Sequence, residues 1–249
     1  MSLHFEEIDY QQTRLGELSL RRRRLPQTGE LDIYEVKLGE EFLMSSLFTA
    51  AEEALARLGL APLADRALDV VVGGLGLGHT AAAALDAARI NELLVIEGLD
   101  AVIDWHERHL LPLGARLSGE PCCRFIAGDF FQLAAADGFD PDQPDRRFDA
   151  ILLDIDHAPG DLLNAAHADF YQPAGLRALR RYLRADGVFA LWSNEPPDTA
   201  FTQRLEQVFA TVQAHVVEFD NPLQDGHSAN TIYVAQQPLS AGGDTLPPR

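Results

Sequence analysis

LDVVVGGLGLGHTAAAAL, residues 68–85, is the stretch on which the fold turns. It opens on a short apolar run rich in β-branched residues (Ala67–Val72), passes through the glycine turn Gly73–Gly78, and continues into alanines that favour a helix. Glycines allow a tight turn and let the backbone come close to a ligand, while the first turn of a helix offers unpaired N–H groups. A dinucleotide-type G-x-G-x-x-G pattern would need glycine at residue 79, which is His79. The G-x-G-x-G spacing of Gly74, Gly76 and Gly78 fits a nucleoside-binding turn better. A plain strand-to-helix turn is the structural alternative.

Apolar runs and helical segments alternate outward from this turn. Leu93–Ile96, Cys123–Ala127, Phe148–Leu153 and Gly187–Trp192 read as buried strands. Helical patterns lie between them in AVIDWHERHLLPL, FYQPAGLRALRRYL and Thr199–Ala210. Upstream, residues 46–60 read as a helix ending at Gly59 and Pro62. His215–Phe219 and Thr231–Ala235 read as two strands joined by the turn-rich DNPLQDGHSAN, adding an antiparallel strand at one edge. Such alternation predicts a parallel sheet with helices on both faces. Residues 1–45 read as a β-hairpin extension, residues 46–237 as one ligand-binding domain, and residues 238–249, rich in Pro, Gly and Ser, as a disordered tail.

Bulk properties narrow the setting. A chain of 249 residues that is 47% hydrophobic can bury one sizeable core. The sequence has no apolar run of about 18 residues, so no membrane span is expected. The polar start MSLHFEEIDYQQ is unlike a secretory leader, and the adjacent Cys122 and Cys123 lack the spacing of a metal site. A cytoplasmic protein with ordinary thiols and no metal is the expectation. A net charge of −18 repels nucleic acid and suits a cationic small-molecule substrate. The single basic run, Arg21–Arg24, reads as a solvated or salt-bridged face.

Four acids and a histidine stand where open α/β sheets bind ligands. Glu97 closes the second strand, 19 residues after Gly78, and can accept hydrogen bonds from ribose hydroxyls or form a structural ion pair. Asp129 follows the third strand and can read an adenine amino group or cap the next helix. Asp154, Asp156 and His157 follow the fourth strand. Asp154 can orient a transferring group or an amine, and His157 can act as a base. Loop capping and solvated charge remain the alternatives for Asp156 and His157.

Taken in order, these motifs resemble the class I S-adenosylmethionine-dependent methyltransferase fold and, within it, the spermidine synthase (polyamine aminopropyltransferase) family. The resemblance runs through Gly73–Gly78, VIEGLDAVIDWHERHL, GDFFQL, FDAILLDIDHAP and DFYQPAGLRALRRYLRADGVFALWSNEP. It implies a doubly wound, Rossmann-like, seven-stranded, mostly parallel sheet with a small N-terminal β extension. It also implies a transferase that binds S-adenosylmethionine or its decarboxylated form. Gly74, Gly76 and Gly78 would hold that cofactor, Glu97 its ribose and Asp129 its adenine. Asp154 would position the reacting centre with Asp156 or His157, and a homodimer is implied.

The chain departs from the family at the reaction centre. The family's Gly-Gly-Gly-Asp-Gly-Gly is Gly73-Gly74-Leu75-Gly76-Leu77-Gly78 here. Its Tyr-His-Glu at the first helix is Met44-Ser45-Ser46, and His157 replaces the second acid of Asp-Ser-Ser-Asp-Pro. Methyl transfer and a non-catalytic cofactor-binding or assembly module are therefore rival expectations.

Overall fold

The structure, a computed structural model, describes residues 5–14, 16–223 and 226–236. The tail expected at 238–249 lies outside the described residues.

Four antiparallel strands come first: β1 (Phe5–Thr13), β2 (Gly16–Arg23), β3 (Ile33–Leu38) and β4 (Glu41–Ser45), paired in that order. Arg21 to Arg23 end β2 and Arg24 follows it, and each meets an acid: Glu7, Glu6, Glu35 and Asp32 respectively. The basic run is thus a salt-bridged face.

Helix α1 (Ala50–Leu60) leads into β5 (Leu68–Gly73), α2 (His79–Ala87), β6 (Ile90–Glu97) and α3 (Asp100–Glu107). Next come α4 (Gly114–Gly119), β7 (Cys123–Ala127), the short α5 (Phe130–Gln132), β8 (Phe148–Leu153), α6 (Pro173–Arg180) and β9 (Leu183–Ser193). Helix α7 (Thr199–Glu206) and the hairpin of β10 (Thr211–Asn221) and β11 (Gly226–Gln236) are the last elements among the described residues.

The second sheet runs β10-β11-β9-β8-β5-β6-β7, and its β9-β8-β5-β6-β7 portion is parallel throughout. The parallel run is what the alternation predicts, and the seven-stranded, mostly parallel sheet is what the resemblance implies. Strand β11 is antiparallel to both β9 and β10, so it sits one place inside the edge, and β10 is the outermost strand.

Both faces of the sheet are covered. Val70, Val72 and Leu152 point into a cluster with Leu55 of α1, Ala84 of α2 and Trp105 of α3. Val71, Ile151 and Leu153 point the other way, toward Phe130, Leu176 of α6 and Phe201 of α7. Burial on two faces is why these strands read as unbroken apolar runs. Leu18, Leu20 and Val36 of the N-terminal sheet join the first cluster, and Trp105 Nε1 donates to Asp9 of β1 at 2.6 Å.

Helix α1 begins at Ala50 rather than at residue 46 and α7 ends at Glu206 rather than at Ala210, and two further helix boundaries differ from expectation. AVIDWHERHLLPL breaks after Glu107, where His109 takes a positive φ of 58°, and a separate α4 follows. FYQPAGLRALRRYL becomes helical only at Pro173, because proline favours the first helical turn and disfavours helix in the residue before it. Gly59 lies inside α1. A Cβ there would stand 2.6 Å from Leu152 Cδ2, so the glycine lets the helix rest on the sheet.

Candidate active site

The carboxyl ends of β5, β6 and β8 lie side by side, with Gly73 opposite both Ile96 and Leu153. The chain turns one way from β5 to β6 and β7 and the other way to β8 and β9, which opens a crevice at that point. The glycine turn lies over it. Gly74, Gly76 and Gly78 have φ of 95°, 49° and 93°, values that side-chain-bearing residues seldom adopt. A Cβ on Gly74 would also collide with the Asp154 carbonyl oxygen, so the turn and the loop after β8 touch through bare backbone.

Glu97 is buried beneath this turn. Its Oε2 accepts from the Leu75 and Gly76 amides at 3.0 and 3.4 Å, and its Oε1 accepts from the Leu99 amide at 2.9 Å. Burial pushes the carboxyl above its ordinary range, against the amides of Leu99, Leu75, Gly76 and Gly98 that favour the anion. His106 supports the turn from behind. Its Nε2 lies 2.9 Å from the Gly76 carbonyl and donates to it, while Nδ1 is buried without a partner among the described residues. Burial holds this imidazole below its ordinary pKa, so it is neutral. His79 is also lowered by burial, and it faces a separate hollow of about 310 Å³ with Glu53, Arg57, Asp86 and Arg116.

Asp129 caps α5, its Oδ1 accepting from the Phe131 and Gln132 amides at 2.9 and 3.3 Å. Arg14, at the β1–β2 turn, donates to the Gly98 carbonyl at 3.4 Å and so reaches the rim between β6 and β7.

The three residues after β8 part company. Asp154 stays in the crevice and accepts from the Thr80 hydroxyl of α2 at 2.6 Å. Asp156 turns away and is buried. It accepts from the Leu163 amide at 2.8 Å, from His167 Nδ1 at 2.9 Å and from the Tyr171 hydroxyl at 2.8 Å. It thereby pins the loop 156–171, and Phe131 stacks on His167 with ring centroids 3.8 Å apart. His157 Nε2 is 3.8 Å from Glu41 of β4, and its carbonyl accepts from the Asn194 amide at 2.8 Å. The crevice thus gathers Gly74, Gly76, Gly78, Glu97 and Asp154, with Asp129 and His157 at its margins and Asp156 behind it.

One residue that sequence reasoning passed over, Glu52, acts on this crevice, and Met44, noted there only as a departure from the resemblance, reaches the turn. Glu52 of α1 has its carboxyl pushed up to about 8, first by burial and then by the charge of Asp154. Asp154 itself is pushed up to about 6 by burial, against the Thr80 hydrogen bond. Met44 lies over Gly76, its Sδ 3.3 Å from where a Cβ would stand. Met44 and Ser45 belong to β4, so the counterpart of the family's Tyr-His-Glu lies on the strand before α1 rather than on the helix.

The sequence matches no protein-family profile. It also matches no curated protein. Solved structures do match in three dimensions. The crystal structure of spermidine synthase from Thermotoga maritima superposes with a TM-score of 0.70 at 16% identity, covering 94% of this chain and 74% of that one. A spermidine synthase in complex with the transition-state analogue AdoDATO superposes with a TM-score of 0.71 at 15% identity, with the same coverage. At such identities the likeness speaks for architecture: the chain has the Rossmann-like fold of the spermidine synthases.

Proposed function

We propose that the chain is a spermidine synthase-like transferase. It binds S-adenosylmethionine or decarboxylated S-adenosylmethionine and passes a methyl or aminopropyl group to a small-molecule nucleophile. The observation that carries this reading is the triple of positive-φ glycines at the end of β5, held against Asp154 at the point where the sheet reverses direction. The neighbour solved with AdoDATO gives the reading its cofactor class.

In this reading Gly74, Gly76 and Gly78 leave room for the nucleoside, and Glu97 keeps the turn in its open shape. A ribose hydroxyl would compete with the turn's amides for Glu97, and Asp129 would face the adenine edge. Asp154 would stand nearest the reacting carbon. A sulfonium is already an activated donor, so alignment of the nucleophile supplies most of the acceleration. Titration calorimetry with S-adenosylmethionine, decarboxylated S-adenosylmethionine and 5′-methylthioadenosine tests it. Micromolar binding of at least one is the expected result, and heat-silent titrations with all three would sink it.

A second reading, a cofactor-binding module without turnover, draws on one observation. Glu97, Asp129 and Asp156 all spend acceptors on the chain's own donors. Release of 5′-methylthioadenosine or S-adenosylhomocysteine in the presence of a metabolite pool would exclude it.

A further inference from the structure

We propose that Met44 is a specificity-determining residue of the crevice. Its thioether roofs the glycine turn and admits a nucleoside that carries sulfur at its 5′ position, while a nucleoside with a 5′ phosphate is refused. This rests on the reading of the crevice given above and narrows its ligand class.

Strand β4 lies across the crevice. Toward one end, Glu41 Oε1 is 3.8 Å from Nε2 of His157 in the loop after β8. Toward the other, Met44 reaches the glycine turn, with Sδ 3.3 Å and Cε 3.9 Å from where a Cβ on Gly76 would stand. Val36 of β3 pairs with Met44 but Lys37 pairs with Phe42, so Leu43 is an extra residue in β4. Such bulges re-aim the neighbouring side chain and are common beside ligand sites. The turn below is held fast. The Gly76 amide donates to Glu97 at 3.4 Å, and the Gly76 carbonyl accepts from His106 at 2.9 Å. The remaining direction at Gly76, the one a side chain would take, is that of Met44. Met44 is partly buried, unbranched and adaptable, so a ligand lying on Gly76 moves the methionine rather than the glycine.

The donors around Met44 decide which 5′ group can follow. The amides of Gly74 and Gly78 donate to the carbonyls of Ile96 and Leu75, and those of Leu75 and Gly76 donate to Glu97. These residues therefore form no cradle of free N–H groups of the kind that phosphate sites use. The first turn of α2 is engaged as well. Its Thr80 hydroxyl donates to Asp154 Oδ2 at 2.6 Å, which sets a carboxyl where the helix end would otherwise draw an anion. Arg14, the cation at the rim, is turned to the Gly98 carbonyl on the β6–β7 side. A thioether adds no donor. A 5′ phosphate would thus shed its water beside Asp154 and Glu97 without gaining these amides in return. Sulfur asks only for soft apolar contact, which Met44 supplies, and a sulfonium gains further from the acids.

Two measurements test this. The chain has two methionines, Met1 and Met44, so in a protein labelled with carbon-13 at the methionine methyls, Met44→Leu identifies the Met44 signal. That signal should shift as 5′-methylthioadenosine is added to saturation, and 5′-AMP at the same concentration should leave it in place. A Met44 methyl that stays still while calorimetry registers 5′-methylthioadenosine binding overturns the proposal, as does 5′-AMP binding as tightly as the thioether. The second measurement is calorimetry of Met44→Lys with the same two compounds. An ammonium over the turn should narrow the preference for 5′-methylthioadenosine by about tenfold, the effect of one charge-assisted hydrogen bond. An unchanged preference in the folded variant overturns the proposal, and if the variant does not fold, the wild-type methyl titration decides. If no adenosyl compound binds, the proposal falls together with the reading it rests on, a result distinct from binding that leaves Met44 untouched.

Discussion

At the scale of single residues, Glu97 is the clearest case of one side chain with two duties. The sequence singles it out because an acid ending an apolar strand needs partners. In the structure those partners are the amides of Leu75, Gly76 and Leu99, one set on each oxygen. Glu97→Gln therefore cannot be neutral. Whichever way the amide turns, its NH₂ confronts a backbone N–H at one end. We expect a loss of about 1–3 kcal/mol in urea unfolding, the cost of an unmet buried donor, together with weaker binding of adenosyl ligands. An unchanged unfolding midpoint would show that the turn does not depend on this carboxylate. Asp156 carries the opposite lesson. Its neighbours in sequence suggest chemistry, but its contacts with Leu163, His167 and Tyr171 make it the clamp of a loop. Those contacts reach up to 15 residues onward and depend on how the loop folds back, which local pattern does not encode.

At the scale of elements, β5, its turn and α2 were legible because everything that defines them is local: β-branched run, glycines, alanines. Cys123–Ala127 and Phe148–Leu153 were legible to the residue for a similar reason, being apolar runs bounded by polar chain. The inward position of β11 was not, since strand order is set by packing between distant segments. Nor was the role of Gly59. Helix propensity alone favours Gly59→Ala by about 1 kcal/mol, while overpacking a filled core costs about 1–3 kcal/mol. The Cβ would meet Leu152 Cδ2 at 2.6 Å and Ala190 Cβ at 3.0 Å, so overpacking wins. We expect a net loss on the order of 1 kcal/mol in denaturant unfolding. A gain in stability would mean that α1 can lift from the sheet without penalty.

For the whole molecule, opposite ends of the sheet hold opposite kinds of carboxyl. At the far end from the crevice, burial alone would raise Asp149, but hydrogen bonds from Arg66, the Asp69 amide and Arg184 overcome it and hold the carboxyl below its ordinary range. Its contribution is present above the unfolded-state pKa and is lost as pH falls through the lower folded value. Glu52 and Asp154 are raised, so their contribution is present at low pH. It is lost between the ordinary carboxyl range and about 8 for Glu52, and about 6 for Asp154. Thermal melting should therefore show stability falling from about pH 5 to about pH 9, and falling less in Glu52→Gln. Equal slopes for the two proteins would contradict the raised state of Glu52. This pair escaped the sequence because α1 and the end of β8 become neighbours only in the folded sheet.

The sharing of one apolar cluster by Leu18, Leu20 and Val36 with Leu55 and Trp105 has a consequence for how the chain can be divided. Strands β1–β4 are not a detachable ornament. Removing them would expose the flank of α1 and α3 to water and leave the Trp105 indole without Asp9. A gene fragment encoding the glycine turn and the larger sheet alone would thus inherit a core with one wall missing, and the crevice would lose the stable frame that α1 gives Glu52.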